Sequence, residues 1–181
     1  MVVVGITGLN GAGKTQVVDF FKKHGFKHYS FRNYIVKELN KRNMAVNRDN
    51  MRFIANIIRL KNGSGYIADQ IYSNATGDKI VMESIRTVGE IETLKKYGDF
   101  ILLAVVGNQK IRYDRIKSRA SETDNVTFEK FVEQELKEMK NADPHKQNLF
   151  GCIKKADYKI VNDGSLDDLK KKLDVVLKHI K

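Results

Sequence analysis

A glycine-rich stretch near the N-terminus constrains this sequence more than any other feature. Three consecutive valines at residues 2–4, followed by Ile6, predict a short buried strand. Residues 8–15 then fit the pattern G-x-x-x-x-G-K-[ST] at every fixed position, and an amphipathic helical run follows. Glycines let the backbone approach a polyphosphate closely, so that backbone amides and a helix N-terminus face its oxygens. The stretch therefore predicts a P-loop that joins a strand to a helix.

The side chains of this motif have distinct expected roles. Lys14 can reach the β- and γ-phosphates of ATP and stabilise the charge that is transferred, and the Thr15 hydroxyl can ligate Mg²⁺. We therefore predict ATP and Mg²⁺ as the cofactors. The residues expected to contact ATP in this part of the chain are Gly8, Asn10, Gly11, Ala12, Gly13, Lys14, Thr15 and Gln16.

The length of the chain, 181 residues, is typical of one domain with a full hydrophobic core, and we predict a single domain over residues 1–181. No apolar run is long enough to span a bilayer. The one cysteine, Cys152, excludes an internal disulfide and is expected to be a small packed residue. These features favour a reducing, cytoplasmic environment and predict no membrane partner.

The formal net charge of +11 has more than one explanation. A basic surface can attract nucleic acid or concentrate small anionic substrates. The lysines, however, occur in ones, twos and threes on predicted helices, and no aromatic-basic RNA-binding signature accompanies them. Nucleic acid is therefore an open but not a favoured partner, and ordinary surface solvation is the favoured explanation. The sequence does not determine the oligomeric state.

Strand and helix patterns alternate along the chain. The predicted strands lie within residues 2–6, 26–31, 80–82, 100–106 and 158–161. The predicted helices cover residues 14–24, 34–43, 48–61, 65–75, 87–97, 109–118, 128–139 and 165–180. Ser165 and Asp168 resemble a capping box that opens the last helix. The fourth strand is almost wholly apolar, as expected for a central parallel strand covered on both faces. The alternation predicts a parallel α/β sheet.

An acid and an arginine follow the third predicted strand. In an open α/β sheet the carboxyl ends of the strands face the ligand crevice, and Glu83 lies at such an end. Glu83 can therefore hold Mg²⁺ through a water molecule or polarise an acceptor oxygen, and Arg86 can hold an anionic acceptor. A helix-capping acid and a surface arginine are the alternative interpretation of this pair.

Three arginines share one face of the helix predicted over residues 109–118. Arg112 and Arg115 are three residues apart, and Arg115 and Arg119 are four apart. The polar residues 119–126 follow and predict a mobile loop. Phosphoryl transfer requires cations around the developing charge and exclusion of water, and arginines at the edge of a lid meet both needs. A solvated basic helix is the alternative interpretation.

Together these motifs resemble those of the small P-loop kinases that act on nucleoside monophosphates and dephospho-coenzyme A. The chain is most similar to archaeal and bacterial adenylate-kinase-like and dephospho-coenzyme-A-kinase-like proteins. The resemblance extends over nearly the whole chain. It is most specific in residues 83–86 with 89–92, in residues 112–119, and in residues 156–158 with 162–165.

The resemblance implies a three-layer αβα P-loop NTPase fold with a five-stranded parallel sheet of order 2-3-1-4-5. It implies a core of residues 1–30, 78–118 and 142–181, a helical acceptor-binding segment at residues 31–77, and a lid at residues 115–141. It further implies that Arg115 and Arg119 contact the ATP phosphates and act in catalysis with Lys14 and Glu83. The loop formed by Asn162, Asp163 and Gly164 is then expected beside the adenine.

The sequence departs from the family pattern after the second strand. A Gly-Asp pair followed by an arginine is expected there to bind the acceptor, but Arg32, Asn33 and Val36 occupy these positions. The strand-end acid is Glu83 where an aspartate is usual. Asparagine cannot accept a proton or bind Mg²⁺ as a carboxylate does. The predicted acceptor contacts are Arg32, Asn33, Arg59 and Arg86, with Arg52 as a further replacement contact to phosphate.

The favoured function is an ATP- and Mg²⁺-dependent phosphotransferase that moves the γ-phosphate of ATP to a small phosphorylated acceptor. A nucleoside or deoxynucleoside monophosphate is preferred to dephospho-coenzyme A. Two alternatives belong to other classes. The departures at the acceptor site favour a nucleotide-binding regulatory module with weak ATPase activity, and the charge of +11 favours a kinase or ATPase directed at RNA. The sequence does not identify the acceptor.

Overall fold

The computed structural model describes residues 1–121 and 124–180. Within these residues five strands form one sheet: β1 (Val2–Gly8), β2 (Lys27–Ser30), β3 (Lys79–Glu83), β4 (Phe100–Val106) and β5 (Tyr158–Val161). All four strand pairings are parallel, and the order across the sheet is β2-β3-β1-β4-β5. The predicted parallel sheet and its strand order are confirmed.

The described helices alternate with these strands. They are α1 (Lys14–Lys23), α2 (Phe31–Asn40), α3 (Arg48–Asn62), α4 (Tyr66–Ser73), α5 (Val88–Lys95), α6 (Gln109–Arg119), α7 (Phe128–Met139), α8 (Leu149–Lys154) and α9 (Leu166–His179). The capping box predicted at the start of the last helix is present, since Ser165 and Asp168 each accept a hydrogen bond from the other's backbone N–H. None of the described helices is both long and apolar enough to cross a membrane.

Side chains on the two faces of the sheet belong to two separate hydrophobic clusters, which gives the three-layer αβα arrangement. In β1, Val3 belongs to one cluster while Val4 and Ile6 belong to the other, as the period of two in a strand requires. Helices α1 and α9 cover the Val4 face, and α2, α3, α4, α5 and α8 cover the Val3 face. The helices predicted to bind the acceptor therefore also supply much of the core on one side.

Two local predictions require correction. The second helix, predicted from residue 34, begins three residues earlier at Phe31, because the Ser30 hydroxyl accepts a hydrogen bond from the Asn33 N–H and caps the helix at that point. The short helix α8 was not predicted. It is capped by the Asn148 side chain and has only six residues, too few to show a clear hydrophobic period.

The sheet register places three strand ends side by side. Ile6 of β1 is opposite Glu83 of β3, and Ser30 of β2 is opposite the same glutamate. The chain enters the P-loop directly after β1, so the strand-end acid lies next to that loop. This adjacency is the crevice expected at the carboxyl edge of a parallel sheet.

Candidate functional site

A cavity of about 790 Å³ opens at the carboxyl edge of the sheet. Its walls come from the P-loop, from α2 and α3, from the end of β3, and from α6. The predicted site residues that line it are Asn10, Gly11, Gly13, Lys14, Thr15, Gln16, Arg32, Arg59, Glu83, Arg86, Arg115, Arg119, Asn162 and Gly164. The structure thus brings most of the expected nucleotide residues and most of the expected acceptor residues to one cavity.

Four predicted contact residues do not line this cavity. Gly8 ends β1, and Ala12 is fully buried beneath the loop. Asn33 is exposed, and its backbone N–H is used in capping α2. Asp163 accepts a hydrogen bond from the Asn108 N–H at 2.6 Å through Oδ1. The structure therefore offers no support for direct ligand contact by Asn33 or Asp163 in this cavity.

The P-loop glycines are required by backbone geometry. Gly11 and Gly13 have φ angles of 73° and 93°, in the left-handed region that other residues seldom adopt. A Cβ atom on Gly11 would lie 2.3 Å from the Arg112 carbonyl oxygen, and one on Gly13 would lie 2.4 Å from Asn162 Nδ2. The loop is therefore held closely against its neighbours, and it leaves a concave backbone of the kind that binds phosphate.

Lys14 lies at the base of the cavity. Its ammonium donates to the carbonyl oxygens of Gly8, at 3.0 Å, and Leu9, at 2.7 Å. Burial lowers the pKa of Lys14 to about 7, with a smaller contribution from the positive charge of Arg86. An anionic phosphate beside this ammonium would favour its protonated form. The position and environment of Lys14 suit the phosphate-binding role predicted for it.

Glu83 is held by hydroxyl groups from both sides. Ser30 Oγ and Ser84 Oγ each donate to one of its carboxylate oxygens. Ser84 has a φ of 72°, an uncommon conformation for a residue other than glycine, and it places this hydroxyl at the strand end. The Glu83 carboxylate is therefore fixed in orientation at the edge of the cavity.

The donor set suits Mg²⁺ when phosphate is also present. Thr15 is exposed in the cavity and Glu83 lines the same space, so a hydroxyl and a carboxylate face it. No cluster of three or more His, Cys, Asp or Glu side chains that could hold a metal occurs among residues 1–121 and 124–180. Magnesium commonly takes one or two protein ligands and obtains the others from water and substrate phosphates. Thr15 directly, and Glu83 through water, are the residues that would hold it.

The two predicted lid arginines are engaged within the protein. Arg115 Nη1 donates to the Asn162 carbonyl oxygen at 2.7 Å. Arg119 makes a two-pronged ion pair with the buried Asp124, with both N–O distances at 2.7 Å. Residues 122 and 123 of the predicted lid and mobile loop lie outside the described residues. Both arginines line the cavity, and their contact with ATP phosphates stays a prediction.

Arg112 has a different role from its two neighbours on α6. It is 2% exposed and does not line the main cavity. Its guanidinium donates to the Asn10 carbonyl oxygen at 2.9 Å, to the Gly107 carbonyl oxygen at 2.8 Å, and to the Glu135 carboxylate. Arg112 therefore ties the P-loop to α7 and, unlike Arg115 and Arg119, is enclosed within the protein.

The arginines predicted on the acceptor side of the cavity differ in their burial and in their ion-pair partners. Arg32 is exposed and makes no ion pair within the part of the chain that the structure describes. Arg59 is buried and donates to Glu90 Oε1 at 3.0 and 2.8 Å, while its Nη1 has no hydrogen-bond partner among the described residues. Arg86 Nη1 donates to Glu138. The guanidinium of Arg59 therefore serves mainly in a structural ion pair with Glu90.

The loop after β5 supports the P-loop directly. Asn162 Nδ2 donates to the Ala12 carbonyl oxygen at 2.8 Å, and Asn162 is 7% exposed. One N–H of its amide is thus used within the protein. Gly164 and, beyond it, Leu166 and Leu169 line the cavity with Asn162. The adenine neighbourhood expected for Asn162, Asp163 and Gly164 stays a prediction.

Among the cavity residues that sequence reasoning missed are His28, Arg48, Glu138 and Gln147. His28 Nε2 lies 3.9 Å from Glu83, and burial lowers its pKa. Arg48 is the first residue of α3, and Glu138 lies near the end of α7. The alternation of β-strands gives no signal for residues that reach the cavity from the ends of helices distant in sequence.

Comparisons with other proteins agree with this architecture. A family profile described as an AAA domain matches residues 7–132. The chain is 29% identical over 182 residues to a UPF0200 protein of Pyrobaculum aerophilum, covering 99% of this chain and 98% of the relative. It is 30% identical over 185 residues to a UPF0200 protein of Methanocaldococcus jannaschii, covering 99% and 91%.

Among solved structures, shikimate kinase from Acinetobacter baumannii in complex with shikimate superposes with a TM-score of 0.57 at 18% identity, covering 99% of this chain and 94% of that one. The likeness confirms the P-loop kinase fold, whereas the finer resemblance to nucleoside monophosphate or dephospho-coenzyme A kinases stays a prediction. The profile match over residues 7–132 and the relatives along nearly the whole chain show that this protein belongs to the AAA-domain family and to the UPF0200 proteins.

Proposed function

We propose that this protein is an ATP- and Mg²⁺-dependent phosphotransferase that moves the γ-phosphate of ATP to a small phosphorylated acceptor, with a nucleoside or deoxynucleoside monophosphate as the preferred class. One observation carries the proposal: the P-loop, Glu83 and the acceptor-side arginines line a single cavity. Phosphoryl transfer is largely a matter of positioning and electrostatics, so such a shared cavity supplies what the reaction needs. The cytoplasm stays the expected compartment.

In the proposed reaction an oxygen of the acceptor attacks the γ-phosphorus of ATP, and the bond from that phosphorus to the β,γ-bridging oxygen breaks to release ADP. Bound Mg²⁺ supplies neutralisation of the phosphate charge. Lys14 would contact the phosphates from the base of the cavity, and Thr15 and Glu83 would hold the ion. Glu83, fixed by Ser30 and Ser84, is also the carboxylate best placed to polarise the attacking oxygen.

The acceptor is expected on the wall formed by α2, α3 and α4. Apolar side chains there, Phe31, Ile35, Met51 and Ile67, face the same cavity as Arg32 and Arg86. A ligand with a flat or apolar part and an anionic group matches this combination. A nucleoside monophosphate has both, and so does dephospho-coenzyme A, which is the alternative acceptor.

The test is an ATP-consumption screen with Mg²⁺ over all ribo- and deoxyribonucleoside monophosphates and dephospho-coenzyme A, with a no-acceptor control. We expect one acceptor to stand well above the control. Lys14→Ala should lower that activity by at least about 100-fold while the circular dichroism spectrum is retained, because a cation that meets the developing charge is lost. Full activity in the folded variant would contradict the proposed mechanism.

A second candidate, a nucleotide-binding regulatory module with weak ATPase activity, is favoured by the ion pairs on the acceptor side. Arg52, Arg59 and Arg86 are each paired with an acid of the protein, Asp49, Glu90 and Glu138 respectively. Measurable ATP binding together with a flat acceptor panel would favour this candidate. An RNA-directed kinase or ATPase is the remaining alternative, and it would require activity that depends on added RNA.

A further inference from the structure

A carboxylate from α7 occupies the space between two arginines of the cavity. Glu138 accepts a hydrogen bond from Arg86 Nη1 through one oxygen, and its other oxygen lies 3.8 Å from Arg48 Nη1. All three residues line the cavity, and their side chains are only 10 to 22% exposed. Two largely buried guanidinium groups thus face one internal anion.

This internal anion does not satisfy both arginines. A separation of 3.8 Å is too long for a hydrogen bond, so Glu138 meets the charge of Arg48 without bonding to it. Arg48 Nε is buried and has no hydrogen-bond partner within residues 1–121 and 124–180. A buried donor without a partner is costly, and a native protein tolerates it most readily where a ligand completes the set. The arrangement lacks at least one acceptor oxygen.

The two arginines line the same cavity as Lys14, the predicted phosphate-binding lysine. Burial is the main cause of the lowered pKa of Lys14, but the charges of Arg86, Glu138 and Arg48 also act on its ammonium. Arg48 and Glu138 further border a small gap beside Asn10 of the P-loop. A group bound between Arg48 and Arg86 would therefore face the reacting phosphates.

We propose that Arg48 and Arg86 form a phosphate-binding subsite, that Glu138 fills this subsite in the unliganded protein, and that a phosphate group of a substrate displaces Glu138. A phosphate carries more acceptor oxygens and more charge than a carboxylate, so it can bond to Arg86 and also reach Arg48 Nε. A carboxylate ligand would only reproduce the incomplete set that Glu138 already makes. The inference rests on the proposed function only in taking the substrates to be phosphorylated.

Two sources can supply this phosphate, the acceptor and the γ-position of ATP. The experiment measures binding of inorganic phosphate by calorimetry to the full-length protein in two arms. One arm contains Mg²⁺ and ADP, which leave the γ-position vacant. The other contains Mg²⁺ and the β,γ-imido analogue of ATP, which fills it. No turnover is needed, so a flat acceptor panel would contradict the proposed function without affecting this measurement.

Glu138→Gln removes the competing charge while keeping the size of the side chain. If Glu138 occupies the subsite about nine-tenths of the time, phosphate should bind about tenfold more tightly to this variant. Glu133→Gln is the matched control, because Glu133 is an exposed acid on the same helix that pairs with Lys130 and Lys137. The control should bind phosphate as the wild type does.

If Glu138→Gln binds inorganic phosphate more tightly than the wild type in both arms, the subsite is supported and its phosphate is assigned to the acceptor. If the variant binds phosphate more tightly only in the presence of ADP, the subsite is also supported, but its phosphate is assigned to the γ-position of ATP. Unchanged or weaker binding in both arms overturns the proposal. Should Glu138→Gln fail to fold, Arg48→Gln in the wild-type background provides the decision. A loss of about tenfold in phosphate affinity by folded Arg48→Gln supports the subsite, and wild-type affinity in both arms overturns it.

Discussion

At the scale of single residues, the charged groups of the cavity differ mainly in what surrounds them. Lys14 lies against two backbone carbonyl oxygens, and burial lowers its pKa to about 7. Arg59, by contrast, carries a permanent charge that is neutralised by Glu90, which is fully buried. The first is ready to meet an incoming anion and the second is already neutralised. Residue type alone does not distinguish these two situations.

The environment of Lys14 predicts that nucleotide binding takes up a proton. Because phosphate oxygens favour the ammonium form, Mg²⁺-ATP should raise the pKa of Lys14 to well above 8. At pH 8 the free lysine, with a pKa of about 7, is mostly neutral, so binding should take up about one proton. At pH 6 the lysine is already protonated and uptake should be close to zero. Calorimetry in buffers of different ionisation enthalpy measures the number of protons.

Lys14→Arg is the control for this measurement, because a guanidinium stays charged at both pH values. The variant should bind Mg²⁺-ATP without proton uptake at pH 8. Equal uptake by the wild type and the variant would show that the proton goes to another group.

The buried Arg59–Glu90 pair predicts a large loss of stability when one partner is removed. Arg59→Ala leaves the Glu90 carboxylate buried without its cation, which should lower the free energy of unfolding by about 3 to 5 kcal/mol. Arg52→Ala is the comparison, since Arg52 pairs with an exposed aspartate and should change stability by less than about 1 kcal/mol. Urea unfolding measures both. Similar losses in the two variants would contradict a structural role specific to Arg59.

At the scale of elements, α7 connects the two halves of the site. Glu135 bonds to Arg112, which bonds in turn to the Asn10 carbonyl oxygen of the P-loop. One turn further along the same helix, Glu138 bonds to Arg86 on the acceptor side. A shift of α7 therefore changes the surroundings of both substrates together. Because α7 contacts both halves of the site, we expect ligand binding in either half to shift this helix.

Loss of the first connection should loosen α7 without unfolding the sheet. Glu135→Ala removes the carboxylate that holds Arg112, so we expect faster amide hydrogen exchange over residues 128–139 and unchanged exchange in β4. Affinity for Mg²⁺-ATP should fall by about three- to tenfold, because the Arg112 contact to the P-loop becomes less ordered.

Glu133→Ala provides the control for α7, since Glu133 pairs only with exposed lysines on the same helix among the described residues. It should leave exchange in the rest of the helix and the affinity for Mg²⁺-ATP close to wild-type values. The role assigned to Arg112 and Glu135 would be wrong if both variants behaved alike.

At the scale of the whole molecule, the candidate site explains only part of the net charge of +11. Part of the positive charge is concentrated in the cavity, where Lys14 and seven arginines line the wall against two glutamates. Much of the remainder lies on exposed helical faces, as with Lys22, Lys61 and Lys178. Such a distribution favours small anionic ligands in the cavity over a continuous nucleic-acid surface.

This distribution predicts weak, salt-sensitive binding of RNA. Scattered cations neutralise few phosphates at once, so affinity for a single-stranded RNA should be lost by about 0.15 M salt, with a slope of log affinity against log salt shallower than about −2. Fluorescence anisotropy over a salt series measures the slope. A steep slope with binding retained at that salt concentration would instead favour the RNA-directed alternative.

The sequence by itself determined the P-loop, the alternation of strands and helices, and the acid at the end of β3, because these depend on local spacing and hydrophobic period. It also placed the caps at Ser165 and Asp168. The boundary at Phe31 and the helix α8 could not be predicted well, because a single serine cap and a six-residue segment leave little periodic signal.

Only the tertiary structure decided which charges are free. Arg48 and Glu138 reach the cavity from distant helices, Arg112 is enclosed between the P-loop and α7, and Asn162 supports the P-loop with its amide. Each outcome depends on contacts between residues far apart in the sequence. Local pattern fixes where a side chain stands on its own helix or strand, but its burial and partners are set only when those elements pack together.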